Sequence, residues 1–508
     1  MLRPMVATTA VTAALILLSG CGGDDKKSDS SSDGGDSQSS ASTPSAPAVP
    51  SFDPPKAFTV NAAYPTQRTP GQSSAVESEV GIVGRTAVLA NIAGLTGVDT
   101  AGQNQRWTVA SKTAATTEVS DLSKPMAVKL DGKDVVAVAY AETDKGNGTQ
   151  KPKVQVVFQW IDPTEGKKVA EVAADLSATV GPDGSEPSLG SQAYDAETGQ
   201  IVVGVSVKGA SAKAGEVFTV FADPKTQKAG TVPFVEPAGV LNGTVAGAKA
   251  SNQEGAGDGA IVLADGASGK ITKQFPTGMN YLHPMGGGSK HGYFYGSKYT
   301  SSRNGNVIKE SYNNSLFSVD MATGAVVPTK PASSQAEQAS YRCQSDQATA
   351  VVCTDGAEGN KGSEMIGFDD ATGKKAWGYT SESSNRVVPS VTAAYHGVVY
   401  AQTEAQAVLL DAKTGNDLPA AAPTPSDSGT PTSSDSPSAG STPSSSDSPS
   451  DNGTPSEGTG MAGSDMSLFN GKQESPDAVS PNGAVYKQAA KADQYDLESV
   501  LIVLKPTA

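Results

Sequence analysis

The sequence predicts an all-β fold, a β-propeller of eight four-stranded blades with seven as the alternative count, and three observations carry that prediction. A turn pattern, Asp-x-x-Thr-Gly or a near variant, recurs after alternating apolar runs along the chain. Seven copies between Asp99 and Asp411 give a mean step of 52 residues, and a period of about 50 with four short strands per unit is a propeller signature. A lone strand-like run near the N-terminus is matched by three strand candidates at the C-terminus, which together complete one more blade.

The chain begins with a segment that is not part of that fold. Met1–Leu18 holds one basic residue, Arg3, followed by an apolar run from Met5 to Leu18 broken only by Thr8, Thr9 and Thr12. It is too short for a permanent bilayer span and has the layout of a secretory leader. Leu18-Ser19-Gly20-Cys21 follows, then Gly22-Gly23-Asp24-Asp25. Small residues give a peptidase access to the backbone, and the cysteine offers a thiol for a diacylglyceryl group. This arrangement resembles the bacterial lipoprotein lipobox, which implies a signal peptide of residues 1–20, cleavage before Cys21 and lipidation of that cysteine. Residues 21–56 then form a tether. From Gly22 to Pro55 the chain is Ser, Asp, Gly and Pro with few large apolar side chains, so it cannot bury enough surface to offset the entropy of ordering. Its root-mean-square reach as a flexible coil is about 30 to 35 Å.

The propeller is expected over residues 57–508. The clearest copies of its turn are Asp320-Met-Ala-Thr-Gly324, Asp369-Asp-Ala-Thr-Gly373 and Asp411-Ala-Lys-Thr-Gly415, with weaker ones at Asp99, Asp162, Asp223 and Asp265. Asp accepts hydrogen bonds from backbone N–H groups two and three residues on, and Gly supplies the positive φ that closes the turn. Each copy is therefore read as a hairpin between antiparallel strands. A further copy, Asp195–Gly199, precedes Ile201-Val-Val-Gly-Val and is read as a hairpin between an inner pair of strands. Closure follows from pairing Ala57–Asn61 with the runs Ser475–Ser480, Gly483–Gln488 and Glu498–Leu504, which removes an exposed sheet edge. Between these, residues 420–464 are Ser-, Thr- and Pro-rich without Lys or Arg and form a disordered insertion in a surface loop, a cheap device because closure entropy grows slowly with length.

Beyond Cys21, only Cys343 and Cys353 remain. They flank a turn-like stretch on runs that can pair, and an extracytoplasmic compartment allows the disulfide expected between them. The histidines, at 283, 291 and 396, lack metal-ligand spacing and are read as packed or surface residues. The run Tyr281-Leu-His283-Pro-Met-Gly-Gly-Gly-Ser-Lys-His291-Gly-Tyr-Phe-Tyr295 could approach a ligand with its glycines and stack on it with its aromatics, but is read as a Gly-rich blade loop.

The run Asp369-Asp-Ala-Thr-Gly-Lys-Lys-Ala-Trp377 resembles the repeat of the quinoprotein-type (PQQ-like) β-propellers. With the lipobox-like leader and the Ser/Pro-rich linkers, the chain also resembles uncharacterised extracytoplasmic propeller lipoproteins of actinobacteria. The resemblance implies a propeller from about Val76 to Ala508. The family's quinone enzymes mark their cofactor site with adjacent cysteines, which this chain lacks, so no cofactor is expected and the enzyme function does not carry over.

Composition narrows the rest. There are 53 Asp and Glu against 38 Lys and Arg, a net charge of −15, so no cationic surface is expected for nucleic acid. Three Cys and three His leave no zinc-site pattern. Much of the acidity lies in the two linkers. No catalytic set stands out, which favours a monomeric binding or scaffolding module over an enzyme. It is expected to be lipid-anchored on the extracellular face of the cell membrane and to engage an envelope protein or a glycan. The alternatives are a hydrolase or oxidoreductase with a cryptic channel site, and a purely structural envelope component.

Overall fold

Runs of Val, Ile, Ala and aromatic residues suit the pleated, packed surface of a strand, and most of the chain adopts it. The computed structural model describes residues 50–67, 77–101, 105–112, 114–180, 184–209, 217–249, 257–304, 307–332, 340–356, 363–383, 385–419, 464–490 and 497–507. They form eight antiparallel sheets, the eight blades of a propeller.

The first blade comprises Glu79–Val83, Thr86–Asn91, Gly94–Asp99 and Gln105–Ala110, from the innermost strand outwards. In the second, Lys133–Asp144, Lys153–Ile161 and Lys168–Asp175 lie outside an inner strand split into Thr117–Leu122 and Met126–Leu130. The split falls at Pro125, which has no N–H to give a ladder. The Ser123 hydroxyl fills the break by accepting from Ala139 N at 2.8 Å. Blade three is Gly184–Tyr194, Ile201–Gly209, Val217–Asp223 and Lys228–Pro233; blade four is Val235–Leu241, Thr244–Lys249, Ala260–Asp265 and Lys270–Pro276. Blade five is Tyr281–Gly287, His291–Asn304, Val307–Asp320 and Val326–Thr329; blade six is Tyr341–Ser345, Ala350–Asp355, Glu364–Asp369 and Lys374–Thr380. Blade seven has three strands, Ser390–Tyr395, Val398–Gln402 and Ala407–Asp411. The eighth orders Ala478–Ser480, Gly483–Ala489, Leu497–Pro506 and, outermost, Phe58–Gln67. The eight-blade count and the closure by the N-terminal strand are thus as the sequence predicts.

Every blade presses both faces against neighbours, so its central strands read as continuous apolar runs rather than alternating ones. Ala260–Ala264 and Val500–Leu504 are buried throughout. Each Val, Leu or Ile so buried contributes roughly 1.5–3 kcal/mol.

The seven Asp anchors close the turn after the third strand of blades one to seven, and Asp195 closes the inner pair of blade three. In the Asp320 turn the carboxylate accepts from Ala322 N at 2.9 Å and Thr323 N at 2.7 Å, and Gly324, at φ +79°, donates to Asp320 O at 2.8 Å. The Asp369 and Asp411 turns repeat this geometry.

Candidate functional site

Cys21 lies outside the described residues, as does nearly all of the 420–464 insertion. Cys343 and Cys353 are a cross-strand pair in blade six and form the expected disulfide. Cys353 is fully buried. Among the described residues no cluster of His, Cys, Asp or Glu is placed to hold a metal.

The Gly-rich run is not a loop. It is the first strand and turn of blade five, entering the second strand at His291. His291 is buried, its Nδ1 2.7 Å from Asp370 O in blade six, and Ser289 Oγ, Lys290 N and Tyr293 OH all donate to the Asp370 carboxylate. This cluster is an inter-blade lock. His283 is exposed on the innermost strand, with its pKa lowered by its surroundings of protein atoms. His396 is exposed in a blade-seven turn, its Nδ1 2.5 Å from Asp53 Oδ1.

One polar cluster sits on the inner ring where blades eight, one and two meet. Lys124, in the break of the split strand, donates to Asp477 O at 2.8 Å, reaching past blade one. Lys487 Nζ lies 2.7 Å from Glu77 Oε2, and its backbone N–H donates to Asp477 Oδ2. Burial raises the pKa of both Glu79 and Asp477 against the opposing pull of these lysines.

The more distinctive site lies along the outer edge of blade seven, where the described residues form three strands and no full fourth one. After Asp411 the chain begins a fourth strand: Asp411 N donates to Asn416 O, and Leu418 N to Leu409 O at 2.9 Å. Pro419 follows and cannot donate, so the ladder stops. The space a full strand would fill is a groove of about 680 Å³, within the size range of ligand sites, roughly 300–1,000 Å³. Phe58, Tyr379, Tyr400, Leu409 and Leu418 contribute apolar lining, and Val387, 70% exposed, stands at its edge. Arg386 holds one wall. Its guanidinium lies 4.4 Å from the Tyr379 ring centroid and bonds Asp417 Oδ1 at 2.6 Å and Gly415 O at 3.1 Å. On the opposite wall Ser475 N donates to Gln402 Oε1. At one end the end of the tether is already seated: Tyr400 OH donates to Pro55 O at 2.6 Å, and Phe52 N to Pro481 O. Phe52 to Pro55 are therefore part of the packed structure, where the sequence reading assigned them to the tether. The groove itself was not foreseen, although the signal was present: a repeat turn at Asp411 followed within eight residues by proline and then low-complexity sequence.

No family model matches the chain, and no curated protein matches it. Solved structures do. The β-propeller domain of the trilobed protease from Pyrococcus furiosus, described as having an open velcro topology, aligns at 11% identity and a TM-score of 0.31, over 57% of this chain and 82% of that one. The dihydro-heme d1 dehydrogenase NirN aligns at 13% identity and a TM-score of 0.37, over 73% and 75%. A prolyl endopeptidase aligns at 10% and 0.34, over 71% of this chain, which spans about half (48%) of that protein. None of these similarities bears on what the chain binds.

Proposed function

We propose that this protein is a binding or scaffolding module of the cell envelope, lipidated at Cys21 and held outside the cytoplasmic membrane, with the blade-seven groove as its docking site for an envelope protein. The groove is the observation that supports this reading. A full fourth strand would have filled it, and its apolar walls are drawn from blades six, seven and eight. The tether supplies reach from the bilayer surface. The channel-enzyme alternative draws on the Glu79, Lys124, Asp477 and Lys487 cluster, but both lysines are already engaged, Lys124 with a carbonyl and Lys487 with Glu77.

The test has two arms. Labelling cells with an alkyne fatty acid should mark the wild type and not Cys21→Ala; equal labelling removes the anchor. A photo-crosslinker at position 387 in intact membranes should capture a discrete envelope protein, and the capture should be lost when Leu409 and Leu418 are both changed to Asp. Capture that ignores those changes removes the groove from the reading.

A further inference from the structure

We propose that Asp53 and His396 form a pH-sensitive latch that fastens the end of the tether to the rim of the ring, tight when the imidazole is protonated and loosened when it is neutral. Turn chemistry is the first observation. His396 and Gly397 are the two central residues of the hairpin between the first two strands of blade seven, at φ +40° and +87°. Hairpin turns with two positive φ values favour Asn or Asp followed by Gly. The matching turns of blades two and four follow that rule with Asp131-Gly132 and Asn242-Gly243, all at positive φ. His396 therefore stands where Asn would serve the turn better, and a residue held against local preference points to a second task. The second observation is that its ring is aimed. It lies flat on Tyr395, with centroids 4.0 Å and planes 17° apart, and its Nδ1 meets Asp53 Oδ1 at 2.5 Å. Third, Asp53 belongs to a strap held on either side through its backbone, by Phe52 N donating to Pro481 O and by Tyr400 OH donating to Pro55 O. Of these contacts the ion pair is the one whose charge changes near neutral pH.

The charged groups around the imidazole are acidic. Besides Asp53, Asp346 of blade six accepts from His396 N through its backbone carbonyl and from Gly397 N through its carboxylate. Asp53 and Asp134 both bear on the hydroxyl of the stacked Tyr395, and Lys56, the strap's own cation, is exposed. Both partners of the pair carry charge between the ordinary carboxylate pKa, about 4, and the ordinary imidazole pKa, about 6.5. The latch is therefore tightest in that window and weakens as the pH rises through its upper end. With the chain anchored at Cys21 as proposed above, a closed latch restrains how the ring turns against the bilayer. That consequence rests on the anchor; the latch itself does not.

Amide hydrogen exchange of the detergent-solubilised full-length protein, wild type against His396→Asn, reads the latch in the peptide containing Phe52 and Asp53, at about pH 5.5 and about pH 8, on either side of the imidazole range. Comparing two proteins at one pH cancels the intrinsic pH dependence of exchange. Asn suits the turn, as in blade four, so the variant keeps the fold, and unchanged protection of Ala260–Asp265 verifies it. At the lower pH the wild-type strap should exchange about two- to five-fold more slowly than the variant's, the size of effect an exposed ion pair supports. At the higher pH the two should converge. Asp53→Asn should exchange like His396→Asn at both. A ratio of wild type to His396→Asn that is the same at both pH values overturns the proposal. So does an Asp53→Asn protein that keeps the pH-dependent protection of the wild type, since another group would then carry the titration.

Discussion

The indole of Trp107, on the outer strand of blade one, donates to the carbonyl of Pro163 in the Asp162 turn of blade two at 2.9 Å. Trp377 repeats the contact from blade six to Ala412 in the Asp411 turn of blade seven, also at 2.9 Å. In both cases the turn glycine lies flat under the ring: a Cβ on Gly166 would sit 2.3 Å from Trp107 Cγ, and one on Gly415 2.5 Å from Trp377 Cε3. The repeat turn therefore does two jobs, closing its own hairpin and receiving the preceding blade. Trp107→Phe should cost about 1 kcal/mol for the lost hydrogen bond, and Trp107→Ala about 3–5 kcal/mol for the lost ring. Gly166→Ala, which adds a clash at φ +69°, should cost about 2 kcal/mol or more. Urea denaturation followed by tryptophan fluorescence checks the order; a Gly166→Ala protein as stable as wild type would contradict the docking role.

How far this was legible depends on spacing. The two docking tryptophans each fall eight residues after their Asp, at Asp99 to Trp107 and Asp369 to Trp377, yet the sequence reading saw only the second, because the first turn is Asp-Thr-Ala-Gly rather than Asp-x-x-Thr-Gly. At the junction of blades four and five, Phe275 packs on Gly324 instead, ten residues after Asp265, and no fixed offset marks it. Blade number and closure were readable since each depends on periodicity and on a count of strands. The groove was not, because it lies where the described residues of blade seven form no full fourth strand, and a proline after a turn looks in sequence like any loop exit. The inner-ring cluster was equally hidden: Lys124 and Asp477 are 353 positions apart, and only the closure of the ring brings them together.

Cys343 and Cys353 join neighbouring strands within one hairpin. Closing ten residues stabilises by roughly 2 to 3 kcal/mol in the chain-entropy account. The double variant Cys343→Ser/Cys353→Ala should lower the urea midpoint by that equivalent, while reducing agent should leave the variant unaffected and shift the wild type towards it. A wild type indifferent to reductant under unfolding conditions would show that the bridge does not contribute.

Stability should rise as the pH falls from neutral towards the carboxylate range. Burial raises the pKa of Glu142, helped by the nearby Glu171 and opposed by the Gln155 hydrogen bond, and Glu79, Asp121, Glu236 and Asp477 are also raised chiefly by burial. A carboxyl whose folded pKa exceeds its unfolded value binds its proton more tightly when folded, so its contribution is fully present below the unfolded pKa, about 4, and is lost as pH rises through the folded pKa. Glu118, held low by Lys145, and Asp320, held low by its turn N–H groups against the cost of burial, work the other way, and their stabilisation is lost further into acid. The midpoint of thermal unfolding should therefore peak on the acid side of neutrality. Glu142 is fully buried with Oε2 unbonded, so Glu142→Gln should be more stable than wild type at pH 7, with the gap closing towards pH about 4.5. A gap that does not change with pH would exclude Glu142 as its source.

Closure of the ring rests on the antiparallel pairing of Phe58–Gln67 with Leu497–Pro506, and one hydroxyl near its end adds side-chain bonds to that ladder. Thr66, near the end of the outermost strand of blade eight, donates to Ser499 O at 2.9 Å, accepts from Ser499 N at 2.9 Å and lies 2.8 Å from Ser499 Oγ, all buried. This pair joins the N-terminal strand to the C-terminal one, 433 positions away, at the seam where the sheet has no covalent continuity. Thr66→Val keeps the shape and removes the hydroxyl, leaving Ser499 N without its partner, which should cost about 1–3 kcal/mol. Opening at a seam need not unfold the rest, since local units open with their own free energies. Amide hydrogen exchange in Thr66→Val should therefore quicken most in Phe58–Gln67 and Leu497–Pro506, with Val217–Asp223 and Ala260–Asp265 on the far side changing only as global stability falls. Uniform acceleration around the ring would mean that the blades open together and that the seam is no weaker than any other junction.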